Sequence, residues 1–259
     1  MKILHCADFH LRDRDIEECE TCLSFLLDAA QKEAVDLTVI AGDIFDSQDV
    51  QMKSRSAFAA VGFISRLADI APVAIVLGTP SHDGKAPEIL AFARGEFDVF
   101  VATHPQQVYL EDGFLFDRPA GDKGPECVLS LVPQPTKQFF QATSGISEAD
   151  QEIGQAMSGL FAGFGAQAAE YKCPHILVYH GCVSGGVASN GQGMTGRDIS
   201  ISPDQLSLSG ADLVLCGHLH LPQELSGNIF YSGSIYANNI GEDHKHGFYV
   251  HEVVEAMNE

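Results

Sequence analysis

Short apolar runs rich in Val, Ile and Leu recur along the chain, and most stop abruptly at a glycine or a polar residue. Read as buried or alternating runs, they predict strands at Ile3–Ala7, Leu37–Ala41, Val73–Leu77, Val99–Ala102, Val128–Val132, Ile176–Tyr179, Leu213–Cys216, Ile229–Ser232 and Phe248–Val253. Between them the apolar spacing changes to three and four residues. That spacing predicts helices over Ile16–Glu33, Met52–Ala68 and Glu148–Tyr171, with a shorter one near Pro87–Arg94. In the second helix Phe58, Val61, Ile64 and Leu67 share a face. Strands alternating with helices point to stacked βαβ units and an α/β fold. Pro119–Pro125 and Thr143–Ser147 read as turn clusters too short to link domains, and Gly185–Arg197, with five glycines, reads as a mobile or ligand-facing loop rather than a strand. The expectation is a single domain over residues 1–259.

Composition narrows this picture. Hydrophobic residues make up 45% of 259, enough for a good-sized core. The chain opens on a strand-like run with no basic, apolar leader, and no stretch is long enough to cross a bilayer, so a cytoplasmic protein with no membrane partner is expected. Seven cysteines are an odd number and argue against a full disulfide framework. Cys19 and Cys22 form a CxxC, but within a helical pattern, and read as half-buried helix surface. The formal charge of −20 and the lack of a basic stripe count against loose binding to polyanions and suit a site that gathers cations.

The chemistry collects where strands end. Asp8-Phe9-His10 follows the first strand, Gly42-Asp43 the second and Ser81-His82-Asp83 the third. His180-Gly181 closes Ile176–Tyr179, and Gly217-His218-Leu219-His220 closes Leu213–Cys216. Ligands in open α/β sheets bind outside the carboxyl ends of strands, so these groups can converge. The pairs Asp8/His10 and His218/His220 are spaced i, i+2, which places both members on one side of an extended backbone. Each piece alone is weak: Asp-x-His is nearly uninformative, and Gly-Asp after a strand is usually a turn. Their conjunction indicates a dinuclear metal site, and mixed carboxylate and imidazole donors suit Mn, Fe or Zn better than Mg or Ca. Ser81, His82 and Asp83 are not a hydrolase triad, because chain neighbours point apart and no G-x-S-x-G surrounds Ser81. His244 and His246 sit in a charged turn and read as solvent-exposed. Cys6, Cys182 and Cys216 read as packing rather than thiolate ligands.

In this order the motifs resemble the calcineurin-like metallophosphoesterases, and more narrowly the SbcD-type DNA repair nucleases. The opening Lys2–Leu11, the run Gly217–Gln223, and Tyr231–Ser234 with Gly241-Glu242 and Gly247-Phe248 carry the narrower likeness. The resemblance implies a four-layer α/β sandwich, two β-sheets face to face between helices, with two manganese ions at one edge. It implies one ion on Asp8, His10, Asp43 and His220 and a second on Asp43, Ser81, His180 and His218, with Asp43 bridging. The family has Asn in a Gly-Asn-His-Asp run where this chain has Ser81 after a longer Gly78-Thr79-Pro80, so a weaker second site is expected. His82 is the expected general acid or electrostatic stabiliser. Asp83 is expected to orient it or to brace the turn. The implied activity is Mn-dependent hydrolysis of DNA phosphodiesters as an exonuclease or single-strand endonuclease. An SbcC-like ATPase partner and a homodimer through Met52–Ala68 go with it. With the chain ending at Glu259, a catalytic domain without the DNA-capping domain is expected. The acidic charge also admits a phosphodiesterase or phosphatase on a small substrate. A third reading is a non-catalytic partner of an ATPase or DNA-end complex.

Overall fold

A computed structural model describes residues 1–119, 121, 123–136, 150–189, 199–239 and 241–253. Its first sheet runs β14–β1–β2–β3–β4. There β1 (Lys2–Cys6), β2 (Leu37–Ile40), β3 (Val73–Val76) and β4 (Val99–Ala102) are parallel, and β14 (Tyr249–Glu252) pairs antiparallel with β1. The second sheet is ordered β12–β13–β11–β8–β7–β5–β6. Its parallel centre is β13 (Ile229–Tyr231), β11 (Leu213–Gly217), β8 (His175–His180) and β7 (Cys127–Val132). Its antiparallel margins are β12 (Gln223–Glu224) on one side and β5 (Gln106–Glu111) with β6 (Phe114–Phe116) on the other. A short parallel pair, β9 (Cys182–Val183) and β10 (Ser200–Ile201), stands apart. The helices are α1 (Ile16–Glu33), α2 (Arg55–Ala68), α3 (Asp150–Ala168) and α4 (Pro203–Ser207), with a 3-10 helix at Ala86–Phe92.

The strands read as continuous apolar runs because both faces of each sheet are covered. Ile3, Val39 and Val76 meet Leu129, Val178 and Leu215 between the sheets. Their alternates Leu4, Ile40 and Ile75 meet Leu23 and Leu26 of α1 and Phe63 and Leu67 of α2. On the far side Leu177, Tyr179 and Val214 meet Met157 and Phe161 of α3 and Leu206 of α4. The result is the expected four layers, two sheets packed face to face and flanked by helices. Two predicted details differ. Ser54 caps α2 by accepting the Ala57 N–H, so the helix starts at Arg55 rather than Met52. The buried stripe of α2 is Ala60, Phe63, Ile64 and Leu67, and Phe58 is 69% exposed. Burying a large apolar side chain contributes about 1.5–3 kcal/mol. Phe63, wholly buried edge-on against Phe9, collects that energy where Phe58 does not. The predicted turn cluster Thr143–Ser147 lies outside the described residues, as does much of Gly185–Arg197.

Candidate metal centre

Five parallel strands deliver their C-terminal ends to one edge of the sandwich. Asp8 follows β1, Asp43 follows β2, and Thr79 and His82 follow β3. His180 ends β8, and His218 and His220 follow β11. The sheets meet at Gly217, where a Cβ would strike the Ala41 carbonyl and the Ala7 side chain. That close approach lets the His218 N–H donate to both Asp8 carboxylate oxygens, at 2.9 and 3.0 Å.

Three clusters of ligand-type atoms result, one of them His10, Asp46 and His82 at the rim, and the other two donor groups are joined by Asp43. Ligand-type atoms of Asp8, His10 and His220 lie within 4.8 Å of one another, and so do those of Asp43, His180 and His218. Asp43 links them, with Oδ2 3.4 Å from His180 Nε2 and 3.9 Å from His10 Nε2. Three imidazoles have Nδ1 tied off. His180 Nδ1 donates to the Ala41 carbonyl at 2.6 Å, His220 Nδ1 to Glu242 Oε1 at 3.0 Å and His82 Nδ1 to the Asp46 carbonyl at 3.0 Å. With Nδ1 as the donor, each ring in its neutral form presents Nε2 as its acceptor, the arrangement that supports metal-binding histidines. His10 Nε2 faces His220 Nε2 at 3.0 Å. Two nitrogen lone pairs meet that closely only if a proton or a cation lies between them.

The electrostatics agree. Burial, then repulsion from Asp43, lifts the Asp8 carboxyl to about 6, against the pull of His180, His220 and the His218 N–H. Burial pushes His10 down to about 3 and His218 to about 4, so both are neutral donors at neutral pH. Burial alone would lower His180, but the Asp43 carboxylate outweighs it and raises the imidazole to about 9. Asp43 moves the other way. Burial favours its neutral form, yet His180 and then His10 pull the carboxyl below the usual range. His10 and His218 stay neutral while the Asp43 carboxylate draws a proton onto His180, so the buried carboxylates make this a site that positive charge stabilises, and a bound divalent ion would supply it. The donors present therefore fit metal ions.

The backbone here departs from the extended form expected for the i, i+2 pairs. Asp8, His10 and Asp43 have φ of 55°, 44° and 51°, and His218 has 104°. Left-handed turns, not pleated strand, bring the donors to one side. Such conformations cost on the order of 1–3 kcal/mol each and persist where surrounding contacts hold them, commonly at functional sites.

The structure removes one expected ligand. Thr79 accepts the N–H groups of His82 and Asp83 on its carbonyl, closing a turn that puts Pro80 and Ser81 at the apex. Ser81 is exposed there, outside both donor groups. Thr79 occupies the place instead. Its N–H donates to Asp43 Oδ1 at 2.5 Å and its hydroxyl to Asp43 Oδ2 at 3.0 Å, and the same hydroxyl lies 3.3 Å from His180 Nε2 and 3.5 Å from His218 Nδ1. The inserted Pro80-Ser81 pair hides this in the sequence, although Thr79 directly follows Gly78 as Asn follows Gly in the family pattern. Asp83 is fully buried and braces the turns: Oδ1 accepts the Ile44 and Phe45 N–H groups, and Oδ2 accepts that of Gly78. His82 stands half-buried at the rim, its ring edge-on to His10 at 4.7 Å.

The expectation for the charged turn changes. His244 and His246 are half-buried rather than exposed, and His244 Nε2 donates to the His220 carbonyl at 2.9 Å. Cys22 is half-buried as expected, but Cys19 is fully buried in α1. Cys6, Cys182 and Cys216 are buried and in no disulfide, burial raises the Cys6 and Cys216 thiols well above their ordinary value, and no cysteine joins a metal-type cluster among the described residues.

The sequence model of the calcineurin-like phosphoesterase family matches residues 1–222. The chain belongs to the calcineurin-like phosphoesterase family. It is a metal-dependent phosphoesterase, a hydrolase, and membership implies two divalent ions. Two solved structures share the fold at low identity. One is GAP50, the anchor in the inner membrane complex of Plasmodium (12% identity, TM-score 0.58, 97% of this chain and 80% of that one). The other is a dimetal phosphatase from Danio rerio (13% identity, TM-score 0.51, 96% of this chain and 91% of that one). No helix among the described residues is long and apolar enough to cross a membrane.

Proposed function

We propose that this phosphoesterase hydrolyses phosphodiesters, with DNA as substrate and Mn2+ as the native ion. The observation that carries the reading is the pair of donor groups joined by Asp43, with a histidine, His82, held at their rim. Asp8, His10 and His220 would hold one ion, and Thr79, His180 and His218 the other, with Asp43 shared. Bound there, divalent ions polarise the phosphate oxygens and lower the pKa of water. The chain does the rest. Asp43 faces the His180 and His10 rings, Asp8 holds the His218 backbone N–H, and His82, with Nδ1 committed to the Asp46 carbonyl, gives a proton from Nε2 to the leaving oxygen.

The DNA assignment is supported by the SbcD-like runs Gly217–Gln223 and Tyr231–Ser234, which lie at and beside the site. The same resemblance supports an ATPase partner and a homodimer. For the latter, Met52, Phe58 and Phe92 are exposed along one groove beside α2. One observation favours a small phosphodiester instead: in the depression next to the site Asp13, Asp46 and Asp49 outnumber Arg12 and Lys53, on a chain of charge −20, which opposes a polyanion.

The test compares bis-p-nitrophenyl phosphate with single-stranded DNA under Mn2+, using the wild-type protein and His82→Ala. DNA cleavage supports the first reading, and turnover of the small diester alone supports the second. His82→Ala should lose about 10²–10⁴-fold in kcat with Mn2+ binding unchanged. Full activity in that variant removes His82 from the chemistry. No turnover of any phosphodiester overturns both readings.

A further inference from the structure

The segment between β13 and β14 lies beyond residue 222, where the family match ends, yet it is bonded into one half of the site. Glu242 Oε1 accepts His220 Nδ1–H at 3.0 Å across 22 positions of sequence. The His220 carbonyl accepts His244 Nε2–H at 2.9 Å and the Ser234 N–H at 3.1 Å. Tyr236 Oη donates to the His10 carbonyl at 2.9 Å. These bonds all end on His10 or His220, and none of the bonds just named reaches Asp43, His180 or His218.

Glu242 could simply lock its own loop, since Oε2 accepts the Asn238 N–H at 2.8 Å and Oε1 also lies 3.4 Å from Asn239 Nδ2. That role does not need Oε1 turned onto His220. It also does not need two other side chains of the same segment on the same pair of histidines. The carboxyl is 3% exposed and meets only donors, which suits a group that accepts and does not donate. A charged acceptor on Nδ1 fixes the tautomer, aims Nε2 and raises its basicity as a ligand.

We propose that this segment sets the ion affinity of the Asp8/His10/His220 half of the site, with Glu242 as the positioning residue of His220 and His244 as its second support. The inference rests on the two-ion reading above.

The experiment titrates Mn2+ into the metal-free 259-residue chain by calorimetry and by the free-ion electron paramagnetic resonance signal. Wild type, Glu242→Ala, Glu242→Gln and His244→Ala are compared, each with a metal-free thermal melt. Glu242→Ala should weaken one of two sites by about 10–100-fold and leave the other unchanged. The Mn2+ concentration for half-maximal turnover should rise by the same factor, with activity recovered at saturating Mn2+. Glu242→Gln should fall between, because its carboxamide keeps one acceptor and presents a donor to the other bond. Unchanged affinities in Glu242→Ala overturn the inference and leave the two-ion reading standing, even if the melting temperature drops, since the residue is then only structural. If Glu242→Ala does not fold, unchanged affinities in both Glu242→Gln and His244→Ala overturn it, and a weakened site in either supports it. A wild-type protein that binds no Mn2+ overturns the two-ion reading and this inference together.

Discussion

Thr79 and Ser81 show how much one turn decides. A hydroxyl is a neutral oxygen donor on a short stem, and at Thr79 it already spends a hydrogen bond on Asp43 Oδ2. The second ion should therefore bind more loosely than the first. Thr79→Asn, which supplies a carboxamide oxygen on a longer reach, should tighten that site by about ten-fold, and Thr79→Ala should loosen it by a similar factor. Ser81→Ala should leave both isotherms as in wild type, because Ser81 points to solvent. A loss of affinity in Ser81→Ala with none in Thr79→Ala would reverse the assignment. The aspartate and histidine donors were legible in the sequence because each stands where an apolar run ends, and strand ends share an edge. Thr79 was not, since which of two nearby hydroxyls faces inward depends on a turn closed by backbone bonds. Glu242 was not either: its partner lies 22 residues away, and only the fold brings them together.

At the scale of elements, Asp83 joins the loop after β2 to the loop after β3 by accepting three buried N–H groups. Burial first, and then the Asp43 charge, raise its carboxyl to about 7 against the pull of those same N–H groups. Leaving a buried donor without a partner costs about 1–3 kcal/mol. Asp83→Ala strands three, so even with partial hydration it should lose about 3 kcal/mol or more in urea unfolding of the metal-free protein. A loss under 1 kcal/mol (about the cost of a single hydrogen bond) would show that the loops do not depend on this carboxyl. Most strands and α1 were legible, because both faces of each sheet are covered and α1 buries Ile16, Cys19, Leu23 and Leu26 at helical spacing. The β5–β6 hairpin went unread although Asp112-Gly113, with φ of 48° and 81°, is a strong two-residue turn signal. The rotated face of α2 could not be read, because two apolar stripes compete there and only packing against Phe9 selects one.

For the whole molecule, the contact between the two sheets carries its own pH dependence through His5. Its side chain is fully buried, its Nε2 donates to the Cys216 carbonyl of the other sheet at 3.1 Å, and its ring lies 5.6 Å from that of His251 on β14. Burial, and then repulsion from His251, lowers its pKa from 6.5 to about 3. A folded-state value below the unfolded one means that the unfolded chain takes up the proton first. The contribution is complete above about pH 6.5 and is lost as pH falls from there toward 3. Each pH unit in that window costs about 1.4 kcal/mol, or about 2 kcal/mol between pH 7 and pH 5. His10 and His218 are lowered too and steepen the acid loss of the metal-free protein, so the wild-type curve alone does not isolate His5. Subtraction does. His5→Phe keeps an aromatic ring at the sheet contact but takes up no proton, and the site histidines cancel in the difference. Denaturant unfolding at half-unit steps should show the variant less stable than wild type at pH 7.5, where the Cys216 bond is missing. The gap should narrow by about 1.4 kcal/mol per unit below pH 6.5. A gap that stays constant to pH 5 would mean that His5 is hydrated or charged in the folded protein, and that the two sheets do not close over it as the structure has them.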